Sequence, residues 1–197
     1  MSDMRDKGDK GDEAASYARK VRRAAQMVLL QRHKRPGAKG WELKRTLGKQ
    51  YMKVVELLND ELGKLGLEIK VLPEEGDVEP LTEEQRERAS FFATLRDPAG
   101  TMEATAGLRV DDIAMLAAIV AYITSKHGRA QTKEVDQLLA GKFPRWRIEF
   151  GIQRFIRRGY LREDEEGILR LDWRSMVEID QKSLLSLMLG VEGAKRE

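Results

Sequence analysis

Apolar residues in the first half of the chain follow helical spacing and then strand spacing. From about Glu13 to Arg32, the residues Tyr17, Val21, Ala24, Ala25 and Val28 recur three and four apart, on one face of a helix. Pro36-Gly37 stops that helix, and residues 1–12, polar and glycine-rich, read as a disordered tail. A short helix is predicted over Trp41–Leu47, broken by Gly48. A longer one is predicted over about Lys49–Gly63, with Tyr51, Val54, Val55, Leu58 and Leu62 inward. Leu67–Val71 alternates as a strand does, residues 73–88 are acidic and turn-rich, and Ser90–Leu95 is a second strand. Neighbours in a strand point to opposite faces, so one of Phe91 and Phe92 is expected to be exposed or covered by a partner.

The second half repeats the plan. A helix is predicted over about Asp111–His127, with Asp111 as its cap and Ile113, Leu116, Ala117, Val120 and Ile123 inward. A short one follows over Thr132–Leu139, capped by Thr132. A third runs from Pro144 to Arg158, with Ile148, Ile152, Phe155 and Ile156 inward and Trp146 and Phe150 alongside. Tyr160–Arg162 and Ile168–Leu171 flank the turn Glu163–Gly167 as a hairpin, and residues 180–189 form a last amphipathic helix capped by Asp180. Trp41 and Trp146 are expected to anchor their helices to the core, and Trp173 to pin the last helix. Helix, short helix, long helix and two strands, with a tight break between the second and third helices, is a winged helix-turn-helix. The expected fold is mainly α with small β wings (α+β), a tandem winged helix: residues 13–100, then 101–197 with the C-terminal helix. The length of 197 residues suits two domains of roughly 100 each.

Composition narrows the chemistry. There is no cysteine, which excludes disulfides, thiolate metal sites and cysteine nucleophiles. The two histidines, His33 and His127, fall near predicted helix ends, where the dipole accounts for them. No GxxxxGK[ST], GxGxxG, HExxH or GxSxG motif occurs, and the acidic pairs lie in turns or at helix starts. The chain is therefore expected to be non-catalytic and to need no metal or cofactor. No run of about 18 apolar residues predicts a membrane span. The first 13 residues lack the apolar core of a signal peptide. The expected location is cytoplasmic, on the nucleoid or chromatin. A 35% share of charged residues with a single asparagine, Asn59, matches thermophile composition.

The net charge of +3 hides an uneven distribution. Residues 14–50 carry 11 basic groups against one acidic, residues 51–100 carry 6 against 12, and residues 141–162 carry seven against Glu149 alone. Basic clusters at equivalent places in two similar units point to a polyanion. In a helix-turn-helix the third helix enters the major groove. The candidate DNA contacts are Lys39, Lys44, Arg45, Lys49, Gln50 and Lys53 in the first unit, and Lys142, Arg145, Arg147, Arg154, Arg157 and Arg158 in the second. Lysine and arginine there contact phosphates and carry little sequence information, so binding is expected to tolerate most sequences. The competing use of these faces is protein contact. In residues 180–189, Leu184, Leu185, Leu187, Met188 and Leu189 exceed what one buried stripe needs. Leu184, Leu185 and Met188, with Phe91 and Phe92, are the candidate partner surface, for self-association or for gripping a partner helix. The bland alternative buries that helix between the two units.

The second half carries a resemblance. His127-Gly-Arg, then Thr132-Lys-Glu-Val-Asp-Gln-Leu-Leu, then Gly159-Tyr-Leu and its hairpin, resemble the second winged helix of the MAGE homology family. Leu171-Asp-Trp-Arg-Ser-Met-Val-Glu-Ile-Asp-Gln-Lys-Ser-Leu-Leu is similar to that family's post-wing Trp, Arg and Glu, although the Gly-Pro that often follows the Trp is missing. ScpB shares the architecture, and both belong to the kleisin-interacting tandem winged-helix (KITE) group, partners of SMC complexes. The resemblance spans residues 14–190 in element order and about 110–185 at the level of motifs. It implies a non-catalytic subunit that binds a kleisin, with dimerisation and DNA contact as optional additions. The alternatives are a tandem winged-helix transcription regulator, with a two-fold dimer and a palindromic site, or an RNA- or ubiquitin-machinery adaptor.

Overall fold

The first unit joins its helices to a three-stranded antiparallel sheet. In a computed structural model, which describes residues 3–30, 36–74, 80–96 and 108–188 (backbone only for 3–14, 187 and 188), the chain divides into Met1–Asp97 and Pro98–Glu197. Helix α1 spans Asp3–Leu29, so it takes in most of the stretch expected to be a tail. Strand β1 (Ala38–Lys39) leads into α2 (Gly40–Leu47), and the Lys39 N–H donates to the Glu42 carboxylate at 3.2 Å, closing the first turn. Gly48, at φ +92, breaks the chain before α3 (Tyr51–Gly63).

Strands β2 (Leu67–Leu72) and β3 (Ser90–Leu95) pair antiparallel from Leu67↔Leu95 to Leu72↔Ser90, and β1 joins β3 through Ala38↔Phe91. The lone asparagine is structural: the Ile69 N–H donates to Asn59 Oδ1 at 2.7 Å, tying β2 to α3. Between β2 and β3, in the run expected to be acidic and turn-rich, lies α4 (Glu83–Arg88). Its start is a reciprocal cap: the Gln85 N–H donates to Thr82 Oγ1 and the Thr82 N–H to Gln85 Oε1. It packs on α2 at Gly40, where a Cβ would stand 1.9 Å from the Arg86 carbonyl oxygen, so only glycine fits. The core gathers Ala24, Val28, Leu43, Tyr51, Val54, Leu58 and Phe91.

The second unit repeats strand, two helices and hairpin. It contains α5 (Val110–Ser125), β4 (Ala130–Gln131), α6 (Thr132–Ala140), α7 (Arg145–Arg158), β5 (Leu161–Glu163) and β6 (Ile168–Leu171). The sheet order β4-β6-β5 matches β1-β3-β2 of the first unit. The Gln131 N–H donates to Glu134 at 3.0 Å, the counterpart of Lys39 and Glu42. Residue 131, not Thr132, is thus the cap, and Thr132 Oγ1 donates instead to Glu163 and the Gly167 carbonyl. The cap of α5 is likewise Arg109 rather than Asp111. Each unit is a winged helix-turn-helix, and the chain is a tandem of two.

After β6 come α8 (Trp173–Glu178), absent from the sequence expectation, and α9 (Gln181–Met188). Gly159 ends α7 at φ +80 with the Trp173 indole edge against its Cα, and the buried Ser175 hydroxyl donates to the Tyr160 carbonyl at 2.7 Å. The second core runs through Met115, Ile119, Ile123, Val135, Ile148, Phe155 and Leu169. Among the described residues no helix is long and apolar enough to cross a membrane.

Candidate binding surfaces

The basic residues of the first helix-turn-helix are not equally free. Lys44 Nζ donates to Glu83 at 2.8 Å and Glu87 at 2.6 Å, so the acidic α4 occupies it. Those hydrogen bonds raise the Lys44 pKa above its ordinary value and lower that of Glu83. Lys39 is held by Glu74 at 3.1 Å and by the Arg88 carbonyl at 3.2 Å. What faces water lies toward α1. Lys20 and Lys53 stand over the Tyr17 ring at 5.6 and 5.4 Å, and the Tyr17 hydroxyl donates to Gln50 at 2.9 Å. Arg45 stacks on Trp41 at 5.0 Å and shares with Arg23 the rim of a cleft of about 200 Å³. Arg19, Arg22 and Lys49 are exposed. The cationic face therefore runs from α1 to the start of α3 and includes arginines outside the expected set.

In the second unit Arg154 donates to Asp112 at 2.6 Å, and Arg147 donates to Asp111 and Asp112 at 3.3 Å. Asp112 is only 3% exposed, so both arginines are committed to a buried carboxylate on α5. Arg145 pairs with Glu149 at 3.0 Å along the helix. Lys142 and Arg157 are exposed, and Arg158 is half-buried. Trp146, expected in the core, is 66% exposed, and Phe150 is 52% exposed. Trp41, expected to anchor α2, is also on the surface under Arg45.

The expected partner surface changes most. Phe91 is 0% and Phe92 5% exposed, so neither is available to a partner. Phe91 fills the core beside Tyr51. Phe92 lies on the other sheet face, where the backbone at Gly37 crosses over its ring and a Cβ would stand 2.9 Å from it. Leu184 packs on the second core and Leu185 is half-buried, because α9 docks on α5 with Gln181 beside Thr124. The Met188 side chain and His33 lie outside the described residues. His127 is exposed at φ +56 beside Gly128, where it ends α5. Among the described residues no three His, Asp or Glu side chains are grouped to hold a metal ion.

This tandem fold has a counterpart among solved structures. The chain is similar to a chain of the "Nse1-Nse3-Nse4 complex". The match covers 92% of this chain and 92% of that one, with a TM-score of 0.55 and 14% identity. At that identity the likeness establishes the fold. No family model matches the chain, and no curated protein matches its sequence.

Two parts of these surfaces lie outside the sequence expectation. The clamp of α4 on Lys44 joins residues about forty positions apart. Its signal was the Thr82-x-x-Gln85 box inside an acidic run. The exposed ring pair on α7 had a plainer signal, since Trp146 and Phe150 sit four apart and opposite Ile148, Ile152 and Phe155 on a helical wheel.

Proposed function

We propose that the chain is a non-catalytic, DNA-associated tandem winged-helix subunit that binds a kleisin within a chromosome-organising complex of the SMC type. The observation that carries this reading is end-to-end correspondence of fold with a chain of the Nse1-Nse3-Nse4 complex. The motif-level resemblance of residues 110–185 to the MAGE homology family supports it. The protein partner is the firmer part of the proposal. DNA contact rests on the α1–α3 cationic face, whose exposed lysines and arginines suit phosphates and carry no base-reading set. Chromatin association follows from the same reading.

A salt titration with a fluorescent duplex tests the DNA part. Charge reversal of Arg22, Arg45, Lys49 and Lys53 is expected to weaken binding. It should also flatten the slope of log K against log salt, by about 0.9 for each phosphate that the variant no longer neutralises. Lys44→Gln is expected to change neither, because α4 already holds that lysine. A quadruple variant with the wild-type slope would remove this face as the DNA site.

A further inference from the structure

We infer that the outward face of α7 docks an acidic amphipathic helix of a partner protein, with Trp146 and Phe150 as its anchors. An α-helix turns through about 100° per residue. The buried Ile148, Gly151, Ile152 and Phe155 therefore centre one side of α7, and the opposite side carries Trp146, Phe150, Gln153 and Arg157. All four are exposed. The side of a surface helix farthest from its core is normally its most polar. Here two of four positions are large rings, and tryptophan and arginine are the residue types that dominate interface energetics. The stripe spans about 16 Å, three turns of an opposing helix.

Charge selects the occupant. Lys142 and Arg157 are exposed, and the one acid on the helix, Glu149, is already neutralised by the exposed Arg145 at 3.0 Å. Arg154, whose charge Asp112 holds, stacks on the Phe150 ring at 5.0 Å. An apolar centre with a cationic rim complements a helix that carries large apolar residues four apart among Asp and Glu. A nucleic acid fits less well. Arg147 and Arg154, which would bring phosphates to the middle of α7, are bound to Asp112, and the first turn, where base edges would be read, presents an indole.

The surface goes beyond the kleisin reading, since any partner with such a helix would satisfy it. Failure of α7 to bind a helix leaves the DNA titration untouched. The experiment uses the full chain and two fluorescent peptides of about 18 residues with the same apolar pattern. One carries Glu at its polar positions and the other Lys. A 20-base-pair duplex is the third probe, and anisotropy is the readout. The acidic peptide is expected to bind saturably and to shift the emission of Trp146, followed in a chain with Trp41 and Trp173 replaced by Phe. Trp146→Ala with Phe150→Ala is expected to weaken binding about thirtyfold, the loss of one strong anchor. Both residues are exposed, so circular dichroism should stay unchanged. Three results would each overturn the inference: no saturable binding of the acidic peptide, equal binding of the two peptides, or a double alanine variant that keeps the peptide at its wild-type affinity.

Discussion

Asp112 joins α5 to α7 from a buried position, and its removal has a calculable cost. Its carboxylate, 3% exposed, accepts from Arg154 at 2.6 Å and from Arg147 at 3.3 Å. Removing one partner of a fully buried ion pair costs about 3–5 kcal/mol, because the other charge is left without compensation. The two arginine side chains keep 21% and 30% of their exposure, so in Asp112→Ala they rehydrate in part. The expected loss is therefore about 2–3 kcal/mol. Urea unfolding in a Trp41→Phe background reads it, since Trp146 and Trp173 then report the second unit alone. Glu149→Ala breaks the exposed pair with Arg145 and is the control, expected to cost under about 1 kcal/mol. If Asp112→Ala cost no more than Glu149→Ala, the pairing that takes Arg147 and Arg154 out of the candidate DNA face would be refuted.

Two further outcomes follow from the contacts. Glu83→Gln with Glu87→Gln releases Lys44 on the first helix-turn-helix, so duplex affinity should rise and the salt slope steepen by about 1 in an anisotropy titration; unchanged values would mean that α4 withholds nothing. Burial first, and then the charge of Glu178, push the Tyr160 hydroxyl up to about 12, while it donates to Glu178 at 3.0 Å. Because the folded value lies above that of the unfolded chain, this contribution is whole below pH 10 and is lost as pH rises toward 12. The expected alkaline loss from this hydroxyl is about 1–2 kcal/mol, and Tyr160→Phe should reduce the total alkaline loss by that amount in urea unfolding at successive pH values. An equal alkaline loss in the variant would contradict the assignment.

Helices whose apolar positions hold a steady 3.6 period were legible in the sequence: α2, α3, α5, α6 and α7 lie within two residues of where spacing put them. So were β2, β3 and β6. The pieces missed are short or depend on distant residues. Strands β1 and β4 have two residues each, too few to show a period, and exist because β3 and β6 offer free edges. The acidic composition of residues 73–88 hid α4, although its capping box was written in the chain. Basic residues read as a DNA face divided in two because Asp112, Glu83 and Glu87 reach them from about 35 to 43 positions away. Phe92 is buried by a backbone crossing at Gly37 that no local pattern announces. Trp146 is the opposite case, since its place on the helical wheel pointed outward and its size alone argued for the core.

The measurement that bears most directly on the central proposal is the composition of the assembly that holds this protein in its native cell. Purification through a tag on the chromosomal copy, followed by quantitative mass spectrometry, should recover a kleisin and an SMC-type ATPase in amounts comparable to the tagged chain. Recovery of the chain with neither, as a free monomer or as a self-associated species bound to one palindromic DNA site, would contradict the account and favour a transcription regulator.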